Sequence, residues 1–203
     1  MSKWYENKGK ENDVVLNTRI RLVRNLDEFP FPARLGKNER EQVNNIIRDI
    51  ILGENEFQLS YVETDSLTNY QVVSLAERYL ISPEFASDSE GRGLLLSEDE
   101  AISIMLCEED HIRLQVISSG LDFDRTYEVI SSLDSVIDNN ADYAFDEKIG
   151  YLTQSPSNLG TGMRASVMLH LPALSATGNM SRLASTVSKL GLTLKSYYTK
   201  GTK

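Results

Sequence analysis

The chain has 203 residues, a formal net charge of −9, and 40% hydrophobic and 25% charged residues, a composition that is normal for a globular protein with one large core. No apolar run approaches the ~20 residues needed to cross a bilayer, and residues 1–10 are too polar for a secretory signal. The acidic balance argues against a nucleic-acid-binding protein, which usually has a basic face. The single cysteine, Cys107, cannot form an internal disulfide and fits a reducing compartment. The sequence therefore predicts a cytoplasmic protein that binds neither nucleic acid nor membrane.

An alternating pattern at residues 14–23 predicts the first strand. Its polar face carries Asn17, Arg19 and Arg21, and a segment with one apolar and one polar face is typical of a half-buried strand. The apolar face consists of Leu16, Thr18, Ile20 and Leu22. We therefore expect the two arginines to project from the same side of a sheet.

Two helices are predicted to follow this strand. Asn38 is a good N-cap, and Glu41, three residues later, completes a capping-box pattern. Gly53 is predicted to close the first helix, whose apolar face consists of Val43, Ile46, Ile47, Ile50 and Ile51. The second helix is predicted at residues 68–80, and it ends before residues 82–83 because proline disfavours helix in the residue ahead of it.

The rest of the chain alternates between predicted strands and helices. Strands are predicted at residues 101–106 and 111–118, followed by a helix at 123–137 and a short strand at 143–145. Residues 154–162 are rich in Pro, Asn and Gly and form a predicted loop. A strand at 164–171, a helix that ends at Gly191 and a closing strand at 192–198 complete the prediction. Adjacent strands indicate antiparallel hairpins, so the favoured class is α+β, in a single domain over residues 1–203.

Four arginines lie on the polar faces of these predicted strands: Arg19, Arg21, Arg113 and Arg164. Guanidinium groups that lie close together repel one another unless an anion separates them, and each offers planar donors suited to phosphate. A polyphosphate ligand is one interpretation. The alternative is that each arginine is a solvated side chain or makes its own weak surface ion pair.

An acidic turn, Glu108-Glu109-Asp110, connects two of the predicted strands. One of its carboxylates could orient a substrate guanidinium and accept a proton from it, which matters because a protonated guanidinium is a poor nucleophile. The alternative interpretation is an ordinary acidic hairpin turn that faces solvent.

The familiar nucleotide signatures are absent from the sequence. It contains neither a Gly-rich loop ending in Gly-Lys-Ser/Thr nor the His-Arg-Asp and Asp-Phe-Gly motifs of protein kinases. No metal site is predicted, because His111 and His170 are the only histidines and neither has a second ligand at helical spacing. A Mg²⁺ ion carried by ATP needs few protein ligands and is compatible with this sequence.

Three segments resemble a known family when they are taken in order. They are residues 17–25 (NTRIRLVRN), 108–113 (EEDHIR) and 155–167 (SPSNLGTGMRASV). They resemble the motifs of the ATP:guanido phosphotransferase (phosphagen kinase) superfamily, and within it the bacterial protein-arginine kinases. The resemblance extends from about residue 14 to residue 198, and the order of the three motifs makes it specific.

This resemblance implies a phosphagen-kinase (glutamine-synthetase-like) catalytic domain with an antiparallel sheet flanked by helices. It implies transfer of the γ-phosphoryl group of ATP, with Mg²⁺, to the guanidinium of arginine in proteins. Glu109 is the implied catalytic carboxylate, with Glu108 as the second choice, and Ser155 and Asn158 are implied to lie near the substrate. The residues implied to bind ATP are Asn17, Thr18, Arg19, Ile20, Arg21, Tyr79, Arg113, Arg164, Ala165, Ser166, Val167, Met168 and Lys195.

The sequence departs from the family pattern at several positions. Ser155 stands where the family usually has a reactive cysteine, and serine cannot supply a thiolate. Tyr79 replaces a histidine near the nucleotide. Residues 195–201 (KSYYTKG) replace an Arg-Gly and a Gly-Glu-Gly pattern, so that Lys200 reverses a charge. Family members continue beyond the position of Lys203 into a loop with a second catalytic carboxylate and a helical domain, so we expect a C-terminally incomplete domain.

Two other functions stay open at this point. These departures would suit a non-catalytic module that binds ATP or phosphoarginine and regulates a partner. A kinase for free arginine or a similar small guanidine is less favoured, because such relatives carry an extra N-terminal domain. For the protein-arginine kinase, the resemblance implies that the partners are protein substrates, an activator protein and protease–chaperone machinery. It also implies a role in the stress response, and it leaves open whether the protein forms a homodimer.

Overall fold

The secondary structure of the chain was taken from a computed structural model, which describes residues 2–54, 56–88 and 90–195. The chain divides into two compact units, residues 1–168 and 169–203. The strands are β1 (Val15–Arg24), β2 (Leu59–Glu63), β3 (Gly93–Ser97), β4 (Ile102–Leu106), β5 (Ile112–Ser119), β6 (Phe145–Asp146), β7 (Gly150–Tyr151) and β8 (Met163–Leu169). The helices are α1 (Lys37–Glu54), α2 (Asn69–Glu77), α3 (Pro83–Ala86), α4 (Phe123–Asp138), α5 (Pro172–Ala176) and α6 (Met180–Ser188).

A six-stranded sheet in the order β2-β3-β4-β5-β1-β8 forms the centre of the first unit. The pairs β2–β3, β3–β4, β4–β5 and β5–β1 are antiparallel. A separate small hairpin joins β6 to β7. Helices and an antiparallel sheet are therefore combined in one unit, which confirms the predicted α+β class.

One face of the sheet is covered by α1 and α4. Val43 and Ile47 of α1 pack with Ile130 of α4 and with Ile104 and Leu114 of the central strands, and all five side chains are fully buried. Ile130 lies in the middle of an amphipathic helix whose N-cap, Asp122, accepts a hydrogen bond from the Arg125 amide. This layer is the main hydrophobic core.

The opposite face carries a second, smaller core next to the arginine-bearing strands. Leu94 and Met105 of the sheet pack there with Leu75 of α2 and Phe85 of α3. Met105 lies directly opposite Arg113 in the β4–β5 register, and directly opposite residues project from the same face of a sheet. The second core thus borders the surface from which the arginines project.

The predicted strands of the centre are confirmed with small shifts of their bounds. In β1, Ile20 and Leu22 are buried as expected, whereas Leu16, near the beginning of the strand, is 44% exposed. Asn17 is buried instead, because β8 lies alongside β1 and the Asn17 amide contacts Met168 Sδ at 3.8 Å. The helix predicted at residues 123–137 is confirmed as α4, in which Phe123 and Tyr127 are exposed.

The predicted ends of the first two helices were wrong by one to three residues. Helix α1 begins at Lys37, because the carboxylate of Glu39 accepts a hydrogen bond from the Gly36 amide at 2.8 Å. This hydrogen bond caps the helix in place of the cap predicted at Asn38. The helix extends one residue beyond Gly53. Helix α2 begins at Asn69, one residue after the predicted start, with Thr68 as its N-cap, and it ends at Glu77 because Tyr79 adopts a left-handed conformation with φ +65°.

Three strands, β2, β3 and β7, were not predicted. Leu94 and Leu95 of β3 are both fully buried on opposite faces of the sheet, so the segment has no alternating pattern to indicate a strand. The short helices α3 and α5 were also missed. The strand predicted at 143–145 is displaced to Phe145–Asp146, and Tyr143 makes an isolated bridge to Leu26.

The second unit contains α5 and α6, neither of which has a fully buried residue. The predicted helix ending at Gly191 is confirmed as Met180–Ser188, with Gly191 in a left-handed conformation. Residues 192–195 are not a strand, and the rest of the predicted closing strand lies outside the described residues. None of the helices in residues 2–54, 56–88 and 90–195 is long and apolar enough to span a membrane.

Candidate active site

A pocket of about 110 Å³ opens beside the ends of β1 and β5, in the first unit. Three of the four arginines singled out from the sequence line it, together with the whole acidic turn and the loop before β8. The lining residues are Arg21, Val23, Glu108, Glu109, Asp110, Arg113, Ser155, Ser157, Asn158, Gly162 and Arg164. Cationic and anionic side chains therefore converge on the same small space.

The arginines share one face of the sheet because of the strand register. Arg21 lies opposite Gln115, and Val23 lies opposite Arg113, in the antiparallel β1–β5 pair. Burial, and after it the guanidinium groups of Arg19, Arg113 and Arg164, lowers the pKa of Arg21 from 12.5 to about 9. Such mutual repulsion shows that the four groups form a cluster, and a polyanion placed among them would relieve it.

Glu108 holds one guanidinium of this cluster in place. Arg113 Nη1 donates to both carboxylate oxygens of Glu108, at 2.8 and 2.7 Å. The Glu108 side chain is only 5% exposed, and Ser82 Oγ donates a further hydrogen bond to it at 2.6 Å. Glu108 is thus committed to contacts within the protein, which leaves Arg113 Nε and Nη2 available for a ligand.

Glu109, the next residue, has the opposite environment. Its side chain is open to the pocket and makes no hydrogen bond or ion pair with any residue in the described part of the chain. Partial burial at the pocket, and then the neighbouring carboxylates of Asp110 and Glu108, raise its pKa above the usual value for glutamic acid. A carboxylate that is accessible, unpaired and more basic than usual is suited to accept a proton.

Asp110 fixes the loop that forms the far wall of the pocket. Its Oδ1 accepts hydrogen bonds from Asn25 Nδ2 at 2.7 Å and from the Gln154 amide at 2.8 Å. Asp110 is 2% exposed, and its second oxygen has no hydrogen-bond partner among the described residues. The acidic turn therefore positions the segment that carries Ser155.

The loop itself closes the pocket through a tight approach to β1. Gly162 has φ +60°, and a Cβ atom there would lie 2.7 Å from both Arg24 Nη1 and the Val23 carbonyl oxygen. The Val23 amide donates to the Gly162 carbonyl at 2.9 Å. Arg164, which follows, donates to Asn158 Oδ1 at 3.3 Å. Glycine is thus required at residue 162 for the loop to lie against the strand.

Comparison with known proteins supports a family assignment. A profile of the ATP:guanido phosphotransferase C-terminal catalytic domain matches residues 40–203. The chain belongs to this family. It is 43% identical, over all of its 203 residues, to the protein-arginine kinase of Halothermothrix orenii, and spans 58% of the length of that relative.

Solved structures of the ATP:guanido phosphotransferase family share the fold. The duplicated taurocyamine kinase from Schistosoma mansoni with bound transition state analog components superposes with a TM-score of 0.75 and 25% identity, over 85% of this chain and 26% of that one. Lombricine kinase superposes with a TM-score of 0.73 and 24% identity, over 87% of this chain and 53% of that one. The sheet described above is therefore the sheet of guanido kinases.

The structure brings seven of the residues implied by the family resemblance together at the pocket, and the others do not line it. Arg19 does not line the pocket, yet its pKa is lowered by burial and by the charge of Arg113. Thr18 and Ile20 are buried on the other face of β1, so a nucleotide role for them would involve the main chain alone. Thr18 Oγ1 instead donates to the Gly120 carbonyl at 2.7 Å.

The remaining residues that the family resemblance assigns to ATP lie in β8, β1 and elsewhere. Ala165 and Val167 have exposed side chains, and Ser166 and Met168 are half-buried. The phenol of Tyr79 lies close enough to Arg19 to influence the pKa of that arginine. Lys195 has an exposed side chain and belongs to the second unit, and Lys200 lies outside the described residues. The nucleotide roles of these residues stay predictions.

The structural roles of Asp110, Gly162 and Ser82 were not predicted from the sequence. Asp110 was counted only as part of an acidic turn, and Ser82 only as a helix stop. A glycine close to the beginning of a predicted strand is a recognisable signal for a close backbone approach, so Gly162 could have been found. The partner of Ser82 could not, because Glu108 is 26 residues away in the chain.

Proposed function

We propose that this chain belongs to an ATP-dependent protein-arginine kinase and carries the part of its site that binds the phosphates of ATP and deprotonates the arginine acceptor. The observation that carries this proposal is the position of Glu109. Its unpaired carboxylate shares one pocket with the guanidinium groups of Arg21, Arg113 and Arg164. A polyphosphate and a cationic acceptor would meet at such a boundary between positive and negative side chains.

The cluster of arginines suits the triphosphate of ATP. Three guanidinium groups, each with planar donors, can contact several phosphate oxygens and offset the charge that develops as the γ-phosphoryl group is transferred. Arg21 Nε is buried and has no hydrogen-bond partner among the described residues. A bound phosphate would reduce the repulsion among the guanidinium groups, and this reduction would favour nucleotide binding.

Magnesium fits this site as a companion of ATP. No group of three His, Cys, Asp or Glu side chains within residues 2–54, 56–88 and 90–195 is arranged to hold a metal ion. Glu109 and Asp110 line the pocket, and each has a carboxylate oxygen without a hydrogen-bond partner among the described residues. Glu109, whose carboxylate is exposed, could bind the ion through water. Mg²⁺ would supply further neutralisation of the phosphate charge.

Glu109 would act on the acceptor arginine. Its carboxylate orients the substrate guanidinium and accepts a proton from the attacking nitrogen. A bond forms between that nitrogen and the γ-phosphorus, and the bond from phosphorus to the bridging oxygen breaks, so that ADP carries away the electron pair. The protein contributes mainly position and charge, as in other phosphoryl transfers.

The acceptor class follows from the relatives. Curated proteins that are about 40% identical to this chain are named protein-arginine kinases, which favours arginine in a protein over a free guanidine. Incubation with Mg·ATP, a loosely folded arginine-containing protein and excess free arginine would distinguish the two. Loss of protein labelling through competition by free arginine would indicate a small-guanidine kinase.

The proposal is tested by mass spectrometry under conditions that preserve N–P bonds. We expect phosphoarginine on the protein substrate after incubation with Mg·ATP, and far less of it with a Glu109→Gln variant. If the chain binds Mg·ATP tightly and forms no phosphoarginine, even after Ser155→Cys restores the residue usual in the family, a non-catalytic binding module would replace this proposal.

A further inference from the structure

Ser82 makes a contact that its place in the sequence does not suggest. It is the N-cap of α3, and its Oγ accepts a hydrogen bond from the Phe85 amide at 2.9 Å. The same Oγ lies 2.6 Å from Glu108 Oε1. A hydroxyl group has only one proton, and because Ser82 Oγ uses a lone pair for the amide, that proton is directed at the carboxylate.

The contact continues from Glu108 to the arginine cluster. Glu108 Oε1, which accepts from Ser82, also accepts from Arg113 Nη1 at 2.8 Å, and Oε2 accepts from the same nitrogen at 2.7 Å. A short path of hydrogen bonds therefore runs from α3 through Ser82 and Glu108 to Arg113. The path is shielded from solvent, since Ser82 is 9% exposed and the Glu108 side chain 5%.

The segment that carries Ser82 is itself fixed to the sheet. Gln115 Nε2 donates to the Tyr79 carbonyl at 2.7 Å, three residues before Ser82. Leu80 and Phe85, on either side of it, are buried in the second core. Ser82 thus has little freedom to move, and it can hold the Glu108 carboxylate in a single orientation.

We propose that Ser82 is a positioning residue for nucleotide binding, which holds Glu108 and thereby aims the free donors of Arg113 at a phosphate of the nucleotide. This inference rests on the proposed function in one respect, namely that Arg113 contacts the nucleotide. Without the Ser82 hydrogen bond, Glu108 can rotate, and Arg113 loses the fixed anchor that orders its Nε and Nη2 groups. Ser82 would not touch the nucleotide itself.

The test measures the affinity for Mg·ADP, which requires no phosphoryl transfer. We expect Ser82→Ala to raise the Kd on the order of threefold to tenfold, as for loss of one hydrogen bond to a charged group. Ser82→Thr, which keeps a hydroxyl group, should restore most of the affinity. Because ADP binding is measured apart from phosphoarginine formation, failure of this inference and failure of the proposed kinase activity are distinguishable.

Thr68→Ala is the matched control for a purely structural effect. Thr68 caps α2 as Ser82 caps α3, and it accepts a hydrogen bond from the Gln71 amide, but it is not among the residues that line the pocket. Both alanine variants should lower Tm, and only Ser82→Ala should weaken Mg·ADP binding.

Coupling to Glu108 provides the second test. In the background of Glu108→Gln, the added effect of Ser82→Ala on the Kd should become small, because both changes interrupt the same path. An unchanged Kd in Ser82→Ala, an equal weakening in Thr68→Ala, or full additivity with Glu108→Gln would each overturn the proposal.

Discussion

Two adjacent glutamates in this chain have different environments, and the difference follows from their contacts. Glu108 is shielded, bound to Ser82 and paired with Arg113. Glu109 faces the pocket without a partner in the described part of the chain, and its pKa is raised. The local sequence alone cannot separate the two, because both residues belong to the same acidic turn. Their roles are decided by where the strand register places Arg113 and by what α3 brings against Glu108.

Substitution of Glu109 gives the most direct prediction at this scale. Glu109→Gln should lower the rate of phosphoarginine formation on the order of 10²-fold to 10⁴-fold, because the amide cannot accept the proton. Mg·ADP binding should change little, since the arginines remain. Single-turnover rates and Kd values measure the two effects. Glu147→Gln, an exposed carboxylate in the β6–β7 turn, is the control, and an active Glu109→Gln variant would exclude Glu109 as the base.

The raised pKa of Glu109 predicts a pH dependence of the rate. A base must be unprotonated, and a group with a raised pKa remains protonated at pH values where an ordinary glutamate, with a pKa of about 4.3, is already ionised. The rate should therefore fall on acidification at a pH above that value. Asp110→Asn removes one cause of the shift, so its acid limb should move to lower pH. Rates of ADP formation across the acidic range test this, and coincident profiles would contradict it.

The loop between β7 and β8 shows how an irregular element builds a wall of the site. At one end of the loop, Asp110 accepts a hydrogen bond from the Gln154 amide, and at the other end Gly162 lies against Val23 and Arg24. Between these anchors, Pro156–Asn158 forms a single 3₁₀ turn. The loop contributes Ser155, Ser157 and Asn158 to the pocket. It is therefore a positioned element even though its composition predicts only irregular structure.

Gly162→Ala should disturb this element in two ways. The left-handed φ and the approach of the new Cβ to Arg24 and Val23 at 2.7 Å both oppose the folded state, and together they should lower the free energy of unfolding by about 1–3 kcal/mol. Gly160→Ala is the matched control, because Gly160 also has a positive φ but its Cβ would meet only the Ile149 carbonyl oxygen, at 3.8 Å. Urea denaturation of both variants measures the difference, and equal losses would show that the approach to β1 is unimportant.

How much of each element the sequence predicts depends on the periodicity of its side chains. Strand β1 and helix α4 are amphipathic, so their existence and their inward faces could be predicted. Strand β3 is buried on both faces at Leu94 and Leu95, and it has no period to reveal it. The end of α2 was misplaced because the left-handed residue is Tyr79 rather than a glycine. The three pocket arginines and the two glutamates could be named from motifs, whereas their pairing depends on contacts between distant segments.

The net charge of the whole molecule and the charge of the arginine cluster differ in sign. The chain has a net charge of −9, yet burial, together with the guanidinium groups of Arg19, Arg113 and Arg164, lowers the pKa of Arg21 to about 9. The overall field of the protein repels an anionic nucleotide at long range, and the local cluster attracts it at short range. Contacts at short range dominate binding, because charges farther apart than about 8 Å are screened at physiological ionic strength.

This balance predicts the salt dependence of nucleotide binding. If the arginine cluster binds the phosphates, added salt should weaken Mg·ADP binding several-fold, since screening reduces the local attraction. If the net negative charge dominated, salt would strengthen binding by screening the repulsion.

Arg164→Gln should flatten the salt dependence of binding because it removes one exposed guanidinium from the pocket. Arg48→Gln changes the net charge equally but lies on α1, where Arg48 pairs with Asp49, and it should leave the slope unchanged. Titration calorimetry at several NaCl concentrations gives the slopes, and equal slopes for the two variants would show that the pocket arginines do not contact the phosphates.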